Sequence, residues 1–233
     1  MTKKTVKVTH VIFDVDGTLL DTESCYETAN QAMLAKFGRK FTPEMKANMM
    51  GRNGAEATAW LVKEVGISDQ ITAEEFIAQK DAMLAEMFPK CNALPGAERL
   101  VRHFAKKRIP MAICSGSCLR KFEQKSVKHR SWLDLIPIKV LCGDCDEIRR
   151  GKPFPDSFLI TMQKFPVPPA DPSHVLVFED SPNGAQAAIS AGMLCVMVPD
   201  PAFRQQSHAL SVAKVLSSLE EFKPEEFGLP PFD

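Results

Sequence analysis

The chain has 233 residues, 45% of them apolar and 25% charged, with 29 Lys+Arg balanced by 29 Asp+Glu. That composition supports a sizeable core in one large or two smaller domains and is too apolar for disorder. A neutral chain presents no strong field, which argues against a nucleic-acid partner or a membrane-surface protein.

The start of the sequence lacks the apolar stretch of a secretory signal, and no apolar run approaches the roughly 18 residues of a membrane span. Seven cysteines is an odd count and sparse for a disulfide scaffold. A reducing, cytoplasmic setting is the expectation, with no obligate protein partner.

In chain order, Val8–Asp14 is the first predicted strand. The segment from Thr22 to Cys91 shows no strand pattern and reads as helices over Glu23–Phe37, Ala55–Val65 and Ala73–Phe88, with glycine breaks at 38, 51, 54 and 66. A helix over Gly96–Lys107 follows, then strands over Ile109–Ser115 and Ile138–Cys142, and a helix over Pro155–Phe165. Val175-Leu-Val-Phe178 has no polar alternation, as expected for a strand covered on both faces. Ser181 and Pro182 then suit the N-cap and first position of a helix before a last strand over Cys195–Val198. The alternation predicts an α/β domain with a mainly parallel sheet, split by a helical insert after its first strand. The expected division is a discontinuous core, residues 1–21 and 94–233, around an insert of residues 22–93.

Chemistry collects at the predicted strand ends. Asp14 and Asp16 lie two apart on an extended backbone, so both carboxylates can address one point, and Gly17 lets the chain turn away. Taken alone, such an Asp-Gly is an ordinary turn. Ser115-Gly116-Ser117 offers a hydroxyl and free N–H groups for an oxyanion, or a helix N-cap at Ser117. Lys152 stands between two chain breakers, and Glu179-Asp180 closes an apolar strand where acids need a cation or donors. Carboxylates from two strands are hard oxygen ligands of the kind Mg²⁺ prefers, and the hydroxyl and ammonium suit phosphate oxygens. Cys114, Cys118, Cys142 and Cys145 loosely imitate a thiolate zinc site, but Cys114 sits in a predicted buried strand, where a free cysteine is a small hydrophobe.

These four motifs, in this order, resemble the haloacid dehalogenase (HAD) superfamily of aspartate-nucleophile phosphotransferases. The resemblance implies a three-layer Rossmannoid α/β core with a parallel sheet and makes the insert an α-helical cap. Longer stretches, among them Leu94–Leu100, Phe178–Gly184, Val198–Pro201 and Phe222–Pro231, resemble its pseudouridine-5′-phosphatase branch.

The implied activity is hydrolysis of a small phosphorylated metabolite, with pseudouridine 5′-phosphate as first expectation. Asp14 would be the nucleophile and Asp16 the acid and base. Ser115, Gly116 and Lys152 would hold the phosphoryl group, and Asp14, Asp16, Glu179 and Asp180 would hold Mg²⁺. Tyr26, Arg52 and Asn53 are the cap candidates for substrate contact. Sugar-phosphate mutases of this superfamily often use a cap histidine. The corresponding position here is Tyr26 and the insert contains no histidine, so hydrolysis is expected over phosphoryl return.

Overall fold

A computed structural model of the chain describes residues 7–49, 54–200, 204–207 and 209–233. Its centre is one parallel sheet of β1 (His10–Phe13), β2 (Met111–Ser115), β3 (Ile138–Leu141), β4 (Val175–Glu179), β5 (Leu194–Met197) and β6 (Lys214–Val215). The strand order β3-β2-β1-β4-β5-β6 winds outward from β1 in one direction and then restarts at β4 on its other side. The strand order therefore reverses between β1 and β4, where open α/β sheets leave a crevice for ligands.

Among the described residues, the chain leaves β1 into α1 (Glu23–Ala35), α2 (Pro43–Met49), α3 (Gly54–Glu64) and α4 (Ala73–Met87). They are followed by α5 (Ala97–Lys106) before β2, α6 (Leu119–Ser126) and α7 (Arg130–Leu133) before β3, and α8 (Asp156–Gln163) before β4. The last are α9 (Pro182–Ser190) before β5 and α10 (Arg204–Ser207) before β6. Among the described residues, no helix is long and apolar enough to cross a membrane.

Alternation along the strands builds two cores. Val11, Phe13 and Phe178 face α5, where Leu100, Val101 and Phe104 join them. Ile12, Ala112 and Val177 face Phe158 of α8 and Ala185 and Ala188 of α9. Both faces are covered, which is why β4 carries no polar alternation. A third cluster of Met33, Leu34, Leu61, Val62 and Phe76 gives the inserted helices a core of their own, while Ala29, Leu84 and Phe88 join the first core. The start of α4 is fixed by a capping box, with Glu75 N donating to Thr72 Oγ1 at 3.2 Å and Thr72 N to the Glu75 carboxylate at 2.9 Å.

The structure adds α2, α6, α7, α10 and the two-residue β6 to the elements expected from sequence. In α6, Leu-Arg-Lys-Phe-Glu-Gln-Lys-Ser has one buried apolar side chain, Phe122, too few for a hydrophobic stripe. Gly54 opens α3 instead of separating two helices, and Gly51 lies outside the described residues. The N-cap of α6 is Cys118, not Ser117.

Candidate active site

Pairing fixes the first acid. Phe13 aligns with Phe178 of β4 and Ile113 of β2, so Asp14 leaves β1 between the ends of its two neighbours. Lys152, in the loop after β3, reaches this point. Its ammonium donates to Asp14 Oδ1 at 2.6 Å, to Glu179 Oε1 at 2.6 Å and to the Cys114 carbonyl at 3.2 Å. All three ammonium protons have acceptors, one in β2, one in β4 and one at the residue after β1.

Glu179 is fully committed. Its second oxygen accepts from Asp180 N at 3.2 Å, Ser181 N at 3.3 Å and Ser181 Oγ at 3.2 Å. Ser181 caps α9 in turn by accepting from Gly184 N at 3.0 Å, as expected from sequence. A Cβ on Gly184 would overlap the Glu179 carboxylate, so this turn of α9 admits the acid only with glycine there.

Asp180 is the opposite case. Among the described residues no hydrogen bond or ion pair holds its carboxylate, although it is buried. Gly17, at φ +75°, makes room for it, because a Cβ there would overlap the Asp180 carboxylate. Burial, then the charges of Glu179 and Asp14, push Asp180 well above the usual carboxylate range. Burial likewise raises Asp14 to about 8, Lys152 opposing and Glu179 and Asp16 adding to the rise. Lys152 itself is driven well up, since the attraction of Asp14 and Glu179 more than offsets its own burial. Two neighbouring acids strained toward neutrality mark a place short of positive charge.

Asp16 sits in a separate nest. Oδ1 accepts from Thr22 Oγ1 at 2.8 Å and from the Lys125 ammonium, and Oδ2 from Ser115 Oγ at 3.2 Å and Ser117 Oγ at 3.1 Å. Burial would raise this acid, but Lys125 and the hydroxyls more than offset it and hold it below its ordinary range. Lys125 is completely buried, donates to Ser117 Oγ at 2.7 Å and lies 5.2 Å from the centre of the Phe88 ring. Sequence reasoning missed it because it belongs to a polar run. The available signal was its spacing, three residues after Phe122 and so on the same face of α6. We expect Lys125→Met to cost about 3 kcal/mol by stranding Asp16 beside hydroxyls alone, read as a lowered urea midpoint. An unchanged midpoint would show that the pair contributes no stability.

The predicted motif residues thus come together, with two qualifications. The Ser115 hydroxyl is turned to Asp16, and Gly116, exposed, lines the open side of the site. Arg52 and Asn53 lie outside the described residues.

A cavity of about 660 Å³ runs from Asp14, Asp16 and Lys152 to the inner faces of α1, α3 and α4. Tyr26 lines it, edge-on to Phe88 with ring centres 5.6 Å apart, and no histidine does among the described residues. Cys114 is buried in β2, while Cys118, Cys142 and Cys145 are half-buried.

Among the described residues, no three His, Cys, Asp or Glu side chains form a complete metal cage. The chemistry of the donors nevertheless fits one kind of ion. Asp14 and Asp180, the latter unpaired among the described residues, are two neighbouring hard carboxylates, enough for Mg²⁺, which keeps several waters and takes one or two carboxylates plus substrate phosphate.

A family profile described as haloacid dehalogenase-like hydrolase matches residues 8–192. The chain belongs to the haloacid dehalogenase-like hydrolases. Within that family, (DL)-glycerol-3-phosphatase 2 of Arabidopsis thaliana is 46% identical over 226 residues, covering 97% of this chain and 93% of that protein. A Drosophila melanogaster protein named "Probable pseudouridine-5′-phosphatase" is 43% identical over 229 residues, covering 97% and 96%. A HAD family hydrolase of Deinococcus radiodurans, solved with phosphate and sodium bound, superposes with a TM-score of 0.77 at 23% identity over 97% of this chain and 100% of that one. The three-layer fold expected from the resemblance is the fold observed, and this haloacid dehalogenase-like hydrolase is a phosphatase.

Proposed function

We propose that the chain is a Mg²⁺-dependent phosphomonoesterase acting through an aspartyl-phosphate on a small phosphorylated metabolite. Residues 22–93 serve as the cap over a core of residues 1–21 and 94–233. The observation that carries this reading is the pairing of Asp14 with Lys152 beside Asp180, unpartnered among the described residues, at the floor of the cavity.

Asp14 attacks phosphorus through its carboxylate oxygen, a new O–P bond forms, and the bond from phosphorus to the leaving oxygen breaks. Lys152, already bridging Asp14 and Glu179, steers the nucleophile and turns its third proton from the Cys114 carbonyl to a phosphoryl oxygen. Asp16 gives its proton to the departing alkoxide. In the second step it takes a proton from water, whose oxygen displaces Asp14 from phosphorus and releases inorganic phosphate. To act so, Asp16 must leave Lys125 and the serine hydroxyls and acquire a proton from solvent. The same move frees Ser115 Oγ for a phosphoryl oxygen. Held by Asp14, the Asp16 carbonyl and Asp180, Mg²⁺ would supply the positive charge that lets a phosphate dianion approach these acids. Glu179, both oxygens engaged, supports Lys152 and the α9 turn from behind.

Pseudouridine 5′-phosphate is the first substrate to test and glycerol 3-phosphate the second, each taken from a relative's name. The test is release of inorganic phosphate from a panel of phosphomonoesters, with Mg²⁺ and with excess EDTA. We expect release that EDTA abolishes and added Mg²⁺ restores. Release indifferent to EDTA would remove the metal from the mechanism, and conversion of a hexose 1-phosphate to the 6-phosphate would make the protein a mutase.

A further inference from the structure

Two cysteines that the phosphoryl chemistry does not use meet across β2 and β3. Cys114 pairs with Val140, and Cys142 lies two residues further on, so alternation turns it to the same face of the sheet as Cys114. That face is covered by α8 and α9. Ala112 and Cys114 belong to its core and Ile138 and Cys142 pack against it, whereas Leu141 packs on the other side. The chain then curls into a 3₁₀ turn, Cys142–Asp144, and the Cys142 thiol donates to the Cys114 sulfur. Both are free thiols, Cys114 buried and Cys142 half-buried. Among the described residues no set of three metal-ligating side chains forms here, so the cysteines make a thiol pair and not the zinc site that their spacing imitates.

The pair is set for chemistry between its sulfurs. The hydrogen bond from Cys142 and the charge of Lys152 outweigh burial and hold the Cys114 thiol down at about 6. A thiolate is the attacking species when a disulfide forms. The turn that Cys142 opens is also a wall of the phosphoryl site. Gly143 N donates to the Ser117 carbonyl at 3.2 Å, and Asp144 accepts from Leu119 N at the start of α6. A Cβ on Gly143 would come within 2.8 Å of Cys118 N, so the two segments lie in close contact. Gly143 lines the cavity with Gly116, Ser117 and Lys152, and Lys152 holds the Cys114 carbonyl at 3.2 Å.

We propose that Cys114 and Cys142 are a redox modification site, closed by peroxide into a disulfide that slows phosphoryl transfer. Cys142, the more exposed, gives up its proton, and its sulfur takes one oxygen of hydrogen peroxide to become a sulfenic acid. The other oxygen leaves as hydroxide and takes that proton as water. The Cys114 sulfur then attacks the Cys142 sulfur, the S–S bond forms, the S–O bond breaks, and the departing hydroxide leaves as water with the Cys114 proton. Two thiols lose two electrons in all, and one peroxide is reduced to two waters. A covalent bond brings the sulfurs closer than any non-bonded contact, so it moves Cys142 and Gly143 relative to Ser117 and disturbs the loop that carries Lys152. A misplacement of that order costs up to about 100-fold in rate. The bond itself is independent of the phosphatase reading, and its effect on turnover rests on that reading.

The test treats the reduced protein with hydrogen peroxide, blocks remaining thiols with iodoacetamide and digests with trypsin without reduction. Mass spectrometry should find residues 109–120 joined to residues 140–149, two hydrogens lighter than their sum. Each peptide holds two cysteines, so variants assign the bond. The joined peptides should persist in the double variant Cys118→Ser, Cys145→Ser and vanish in Cys142→Ser and, independently, in Cys114→Ala. Phosphate release with Mg²⁺, from the best ester of the panel above, should fall about 10- to 100-fold on oxidation of wild type and recover with dithiothreitol. Release by Cys142→Ser should be insensitive to the same treatment. A wild-type digest without the joined peptides, or joined peptides that survive Cys142→Ser, overturns the pair. A disulfide that leaves turnover unchanged overturns its control of the reaction. Failure of the reduced protein to release phosphate from any ester overturns the phosphatase reading instead, and the joined peptides still decide the pair.

Discussion

Asp14→Asn should lower kcat for phosphate release by about 10⁵-fold, on the scale of other nucleophile removals, while shifting the melting temperature by only a few degrees. An amide cannot form the acyl-phosphate, so no first step remains for the other residues to assist. Stability should hold because Lys152 keeps Glu179 at 2.6 Å and the Cys114 carbonyl at 3.2 Å, and a like-charged neighbour of Asp180 disappears. Two measurements check this, steady-state phosphate release and a thermal melt on the same preparation. Turnover within a hundredfold of wild type would exclude Asp14 as the nucleophile.

Lys152→Met is the contrasting case, because it should damage both stability and turnover. The ammonium joins two acids that are 8% and 1% exposed, and its loss leaves both without a cation. Removing one partner of a buried pair costs about 3–5 kcal/mol, here about 10 °C in melting temperature. Turnover should fall by about 10³-fold through loss of a donor to the phosphoryl group. Adding Glu179→Gln removes one stranded charge, so the double variant should melt higher than Lys152→Met while remaining inactive. If the two substitutions are additive in stability, the pair is not coupled and the reading of Lys152 as a clamp is wrong.

Much of this architecture is legible in the sequence because buried parallel strands leave uninterrupted apolar runs. Val175–Phe178 is one, and it places Glu179 at the carboxyl end of a buried strand before any coordinates are known. Asp14 and Asp16 are legible for the same reason, since they end such a run. What sequence does not disclose is how the two acids differ. Asp14 turns to Lys152 and Asp16 to Lys125, and that split depends on α6, whose polar composition conceals a fully buried lysine. Lys80 escapes notice likewise, since a lysine on a helix is ordinarily solvated and only the packing of α3 against α4 buries it. The commitment of Glu179 to the α9 turn also depends on Gly184 in three dimensions, not on any residue type in its own motif.

The reversal of strand order at β1 has a consequence for how the protein comes to life. Asp14 and the lysine that grips it are 138 residues apart in the chain, and Glu179 follows later still. On the ribosome Asp14 emerges long before Lys152 and before β4, the strand that pairs with β1. Contacts of such sequence separation form late and slowly in folding. Until Lys152 and β4 have been synthesised, Asp14 has neither the cation nor the neighbouring strand that enclose it in the folded protein.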